Sequence, residues 1–246
     1  MKWNYTTLAK SYDKRADYSE ELINKILIDT GNASWKPVVD IGAGTGKLTK
    51  VLVKKGLNVT AVEPNNEMRK YGKKNVNKCE WINGTAENTN LREVKYCAFF
   101  GSSFNVVDHK KVVKELNKIL VNQGKIVCLF NHRILEDKVQ NTIEQIIKKF
   151  IPNYSYGLRR QDLKPLLIKL KVFSYIRSYE KKFKKSISVK DIVDAFKSHG
   201  TLKMQAAYKF SKIISEIEKF LKSLKKNKIL VPYKTVGYTA TFNKKV

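Results

Sequence analysis

Cysteine is scarce in this chain. The three present, Cys79, Cys97 and Cys128, are far apart and odd in number, which excludes a disulfide framework and the paired spacing of a metal site. No metal is expected. Proline is sparse, 5 in 246 residues, and no low-complexity linker or internal repeat divides the chain. No apolar run approaches the roughly 18 residues of a membrane span, so no membrane partner is expected. The opening MKWNYTTLAKSYDKRADY carries acids and lacks the apolar centre of a secretory signal. A reducing, cytoplasmic setting is the simplest expectation. Histidine is as scarce as cysteine: His109, His132 and His199 are the only imidazoles.

Acids are few as well, 22 against 49 basic residues, for a net charge of +27. A polyanion such as RNA is one reading of that excess. The basic set is 42 Lys and 7 Arg, with abundant Asn and Ile. A genome rich in A and T produces that mixture without functional demand, whereas phosphate-reading sites favour the planar fork of Arg. Drift plus a small anionic substrate is therefore the preferred reading, with nucleic acid as the alternative. The charge is also uneven. Residues 1–130 hold 22 basic and 13 acidic residues, and residues 131–246 hold 27 and 9.

Hydrophobic residues make up 42%, enough for a substantial core in one domain or a domain with an insertion. Val38–Ile41, Asn58–Val62, Cys79–Asn83, Tyr96–Gly101 and Lys125–Phe130 read as strands. Helical spacing over Lys47–Lys55, Glu67–Asn75 and Lys110–Leu120 separates them, and Asn122–Gly124 reads as a turn. Such alternation predicts an α/β fold, a mostly parallel sheet with helices on both faces. After Phe130 the rhythm breaks. Helices are expected at Glu136–Phe150, Val189–His199 and Ala206–Lys226, a loop at Pro152–Arg160, and strands at Phe173–Phe183, Ile229–Val231 and Thr235–Phe242. The expected organisation is a core over 1–130, a helical cap over 131–171, and elements completing the sheet over 172–246.

Asp40-Ile-Gly42-Ala-Gly44-Thr-Gly46 lies between a strand and a helix. Glycines there let the backbone turn tightly and approach a ligand, and the next helix offers free N–H groups. Glu63 ends the second strand, 19 residues after Gly44, where a carboxylate can accept both hydroxyls of a ribose. Gly84-Thr-Ala-Glu87 follows the third strand, where an adenine could be read. The third glycine falls one position early for a dinucleotide fingerprint, and Asp40 would repel a pyrophosphate but could orient an ammonium.

These segments resemble the class I S-adenosylmethionine-dependent methyltransferase family, on its small-molecule branch. Asp40–Gly46 resembles motif I, Ala61-Val-Glu63-Pro64 motif II, Asn83–Glu87 the adenine segment, and Leu120–Ile126 a degraded form of the turn before strand five. The likeness implies a Rossmann-like seven-stranded sheet with an antiparallel last strand. It implies S-adenosyl-L-methionine as cofactor, with S-adenosyl-L-homocysteine as product. On the implied cofactor stand Asp40, Gly42, Ala43, Gly44 and Gly101, then Glu63, Pro64 and Met68, then Thr85, Ala86 and Glu87. Tyr5–Asp13 resembles the leading helix of these enzymes, which implies Tyr12 and Arg15 at the cofactor and Tyr5 at the substrate.

Methyl transfer from a sulfonium is an in-line displacement, and a hydroxyl acceptor needs a base. Asn105 stands where relatives carry a His, and Asn takes no proton at neutral pH. His109 and His132 are the substitute candidates, while His199 reads as a packing residue. A carboxylate, phosphate or phosphoramidate oxygen would need no base. Tyr154, Tyr156, Arg159 and Arg160 suit an anion by charge-assisted hydrogen bonds, whereas Lys181–Lys185 and Lys222–Lys228 read as solvated faces. The leading expectation is an O-methyltransferase of a small anionic metabolite; the resemblance allows capsule, sugar or natural-product pathways. An RNA methyltransferase and a non-catalytic cofactor-binding scaffold are the alternatives, and a monomer or homodimer fits all three.

Overall fold

The computed structural model describes residues 16–31 and 36–244. Seven strands form one sheet: β1 (Pro37–Ile41), β2 (Asn58–Val62), β3 (Glu80–Ile82), β4 (Lys95–Gly101), β5 (Leu120–Arg133), β6 (Phe173–Ser188) and β7 (Lys228–Phe242). Their order is β3-β2-β1-β4-β5-β7-β6. β1 to β5 pair in parallel, and β7 runs antiparallel to both neighbours. The expected mostly parallel sheet with an antiparallel last strand is what the chain forms.

Successive residues of the central strands face opposite layers. Val38, Phe99, Val127 and Leu129 pack with α1 (Glu20–Asp29) and α2 (Lys47–Lys54). Val39, Phe100, Ile126 and Cys128 pack beneath α4 (His109–Ile119) and α6 (Lys164–Lys169). Burial on both faces explains why KIVCLF is apolar almost throughout. Between these, α3 (Asn66–Asn75) is capped by Asn65, whose side chain accepts from the Met68 N–H.

A second core lies beyond the sheet. Ile143 and Ile147 of α5 (Lys138–Phe150) pack with Ile192, Val193 and Phe196 of α7 (Val189–Lys197). The same cluster holds Leu202 of α8 (Gly200–Ala206) and Ile213, Ile217 and Leu221 of α9 (Phe210–Ser223). The helices between β6 and β7 therefore pack on α5, within the expected cap stretch 131–171. The two stretches are distant in sequence, and the pairing of β7 with both β5 and β6 brings them together.

Smaller corrections have local causes. Asn122–Gly124 is not a turn but part of β5, where Gln123 has φ +61° and the β4–β5 register jumps, as a bulge does. The helix expected at Ala206–Lys226 breaks at Ala207, φ +47°. Ile229–Val231 and Thr235–Phe242 are one strand; β5 pairs β7 only from Tyr233 onward, so Pro232 costs no bond on that side.

Candidate active site

The glycine loop leaves β1 at the carboxyl edge of the sheet. The Gly42 and Ala43 N–H groups both donate to Val62 O, at 2.8 and 3.1 Å. Gly42 has φ +73°, and a Cβ there would stand 2.7 Å from the Ser103 Cβ. Glycine is required on both counts. Glu63 Oε2 accepts from the Gly44 N–H at 2.9 Å, and Oε1 accepts from the Asn65 N–H at 2.8 Å. Burial nevertheless raises the Glu63 pKa, against the pull of those hydrogen bonds. Arg69 donates to Glu63 O at 2.7 Å and to Asn83 Oδ1 at 3.2 Å, tying the ends of β2 and β3 together.

Asp40 is fully buried on the floor of the cleft. Its Oδ2 accepts from the Thr49 hydroxyl at 2.7 Å, and its Oδ1 has no partner among the described residues. Burial lifts its carboxyl to about 7, with the nearby Glu63 charge adding to the rise. A buried carboxylate oxygen without a partner calls for a donor, best a cation.

One cleft joins this loop to the cap. Asp40, Gly42, Ala43, Gly44, Gly101, Asn105, His132, Tyr156, Arg159 and Arg160 all line it. Glu63, Pro64, Met68, Thr85, Ala86, Glu87, His109 and Tyr154 do not. Glu87 accepts from the Asp108 N–H at 3.0 Å, and Thr85 closes its turn through its N–H to Asn88 O at 2.8 Å. Met68 and Ala86 are buried. Tyr5, Tyr12 and Arg15 lie outside the described residues.

The base candidates separate sharply. His109 Nε2 donates to Phe104 O at 2.9 Å, and its ring packs on Phe104, away from the cleft. His132 lies in the cleft, stacked on Phe130, with its pKa pushed down to about 4 by burial and by Arg160 and Lys234. It is therefore a neutral ring and a weak proton sink. His199 caps α8, its Nδ1 accepting from the Leu202 N–H at 3.2 Å. Asn105 Nδ2 donates to Leu158 O at 3.4 Å, leaving Oδ1 buried without a partner among the described residues.

Two of the cap residues have structural duties. Tyr154 is buried in the cap core, its ring 5.2 Å from Tyr156, and burial raises its hydroxyl to about 12. Arg160 donates to Arg133 O at 2.8 Å and stacks over Tyr156.

Residues 39–128 match the family model described as a methyltransferase domain. Over 135 residues the chain is 30% identical to an uncharacterized methyltransferase of Mycobacterium tuberculosis, covering 54% of each. Over 106 residues it is 32% identical to ribosomal RNA small subunit methyltransferase A of Mesoplasma florum, covering 43% of this chain and 34% of that one. The chain thus spans about half or less of the length of these relatives. A proposed type II methyltransferase from Anaeromyxobacter dehalogenans shares the fold, with a TM-score of 0.69 at 11% identity over 93% of this chain and 97% of that one. Residues 39–128 thus match a methyltransferase domain, within a fold that the chain shares with that solved methyltransferase.

Around the methyltransferase domain, several cleft residues were not legible from motifs. Tyr18 hydrogen-bonds Ser102 Oγ at 3.0 Å and lies over Gly101. Asn131 donates to Asp17 O at 2.6 Å, and the Ser19 N–H donates to Thr235 Oγ1 at 3.0 Å. These bonds strap residues 16–19 across the mouth of the cleft. Gln140, Phe196 and Ile192 line its far wall. Among the described residues no helix is long and apolar enough to cross a membrane, and no acid, Cys or His cluster could hold a metal.

Proposed function

We propose that this chain transfers a methyl group from S-adenosylmethionine to an oxygen of a small anionic acceptor held between the glycine loop and the cap. The supporting observation is the single cleft that runs from Asp40 and Gly42–Gly44 to Arg159 and Arg160. The cofactor fits the loop side. Asp40 Oδ1 is the unpartnered acceptor for an ammonium, Glu63 retains lone pairs for ribose hydroxyls, and the Thr85–Glu87 turn flanks the adenine position. The bound cofactor supplies an electrophilic methyl on a sulfonium.

The chain's own residues position the acceptor and exclude water. Tyr18 and the strap at 16–19 cover the cofactor end, and Phe130, Ile192 and Phe196 dry the acceptor end. Arg159 and Arg160 give the cap wall its positive charge. Asn105 Oδ1 accepts from a hydroxyl elsewhere on the acceptor. Of the two imidazoles lining the cleft, His132 is pushed down to about 4, and His199 has its Nδ1 taken up by the Leu202 N–H. That favours an acceptor oxygen already anionic at pH 7, such as a carboxylate or phosphate.

The test is transfer of labelled methyl to a panel of carboxylated and phosphorylated metabolites, with neutral alcohols, amines and bulk RNA alongside. Label on anionic oxygens is expected, and label confined to amines would overturn the assignment to oxygen. The likeness to a ribosomal RNA methyltransferase supports RNA as a second reading. Label in RNA, with binding that weakens steeply with salt, would favour it.

A further inference from the structure

Gln140 belongs to no motif, yet it is 1% exposed and lines the acceptor end of the cleft. Its Oε1 accepts from Arg133 Nη1 at 2.8 Å. A guanidinium only donates, so this contact fixes which end of the amide faces Arg133. The other end, Nε2, is buried with no partner among the described residues. A donor in that state is costly to leave unmade, and a site holding one waits for an acceptor atom.

The neighbouring cation is already committed. Arg133 Nη2 lies 3.2 Å from Glu144 and 3.3 Å from the Tyr156 hydroxyl, and its guanidinium stacks 4.4 Å over Phe196. Glu144 is buried and its partner Arg133 is 15% exposed, and Glu144 also accepts from Tyr156 at 2.5 Å. Arg133 is therefore neutralised in place and acts as the brace that orients Gln140. Arg160, stacked 4.5 Å over the same Tyr156, is the nearby guanidinium with no carboxylate paired to it in that network.

We propose that Gln140 is a specificity-determining residue of the acceptor subsite, its Nε2 donating to an oxygen of a carboxylate or phosphate whose charge is met by Arg160. This rests on the reading of the cleft as the seat of an anionic acceptor. It adds that a neutral, buried, pre-oriented amide reads the anion's geometry, where a flexible surface Lys would read its charge alone.

Nuclear magnetic resonance of the full chain saturated with S-adenosylhomocysteine tests it, with inorganic phosphate and acetate titrated separately. At least one should shift the Gln140 side-chain amide saturably, and the tighter one names the anion class. Gln140→Leu removes both contacts. Gln140→Glu keeps the acceptor toward Arg133 and replaces the donor with a carboxylate oxygen. Both variants should weaken the preferred anion at least tenfold, while S-adenosylhomocysteine affinity stays within about twofold. An unmoved Gln140 amide with both anions overturns the proposal. Loss in Gln140→Leu alone would make Gln140 only a support for Arg133, and loss in Gln140→Glu alone only a charge effect; either overturns it. Failure of wild-type protein to bind S-adenosylhomocysteine would instead overturn the methyltransferase reading beneath it.

Discussion

Glu63 holds the glycine loop to the end of β2: its Oε2 accepts from the Gly44 N–H at 2.9 Å while its Oε1 accepts from the Asn65 N–H at 2.8 Å. One carboxylate fixes two backbone segments at the proposed ribose position. Glu63→Gln keeps one acceptor and turns an NH₂ toward the other N–H. S-adenosylhomocysteine affinity should fall at least tenfold, and stability by about 1–2 kcal/mol. Calorimetry and denaturant titration read the two effects, and unchanged affinity would remove Glu63 from the cofactor site.

Asp40 predicts a pH dependence. Its carboxyl is raised from 3.8 to about 7 in the fold, chiefly by burial. The folded state therefore binds more protons than the unfolded state between those values, and this group makes stability fall as pH rises from about 4 to 7. A bound ammonium favours the ionised form, so cofactor affinity should rise with pH through about 7 and binding should release protons below it. Asp40→Asn keeps the Thr49 contact. It should raise the melting temperature at pH 8 by several degrees and abolish the pH dependence of the residual affinity. Equal pH profiles in both proteins would contradict the assignment.

How much of this was legible in the sequence follows from how local each feature is. The strand–loop–helix at Val38–Lys54 and the carboxylate ending β2 are fixed by neighbours within a few residues, and apolar periodicity marks them. The cap is not local. α5 meets α7 and α9 because β7 pairs over long stretches with both β5 and β6, and no short window shows that. Tyr154 and Tyr156 look alike in sequence, yet one is buried in the cap core and the other lines the cleft. His109 and His132 both stood near strand ends. In the fold His109 is taken up by the carbonyl of Phe104, whereas His132 lines the cleft, depressed by burial and by the charges of Arg160 and Lys234.

Arg159 and Arg160 should behave differently. Arg160 holds Arg133 O and stacks on Tyr156, so Arg160→Ala should destabilise the protein by about 1 kcal/mol as well as weaken acceptor binding. Arg159→Ala should raise the acceptor KM with less effect on stability. Equal melting shifts for the two variants would remove the structural role given to Arg160.

The strap across the cleft gives a kinetic prediction. Asn131 donates to Ala16 O and Asp17 O and accepts from Thr235. Asn131→Ala should speed release of S-adenosylhomocysteine several-fold with a smaller change in its association rate. Stopped-flow fluorescence separates the two, and an unchanged release rate would show that the strap does not gate the cofactor.

The central claim is that Asp40 and the glycine loop serve methyl transfer to an anionic oxygen at the cap. Its most direct test is incubation of the full chain with methyl-labelled S-adenosylmethionine and a small-molecule extract, followed by mass spectrometry of the labelled product. The account predicts a methyl ester of a carboxylate or phosphate, formed by the wild-type chain and lost with Asp40→Ala. Label that stays on the cofactor while the wild-type chain binds it, or label found only on nitrogen or RNA, would contradict the account.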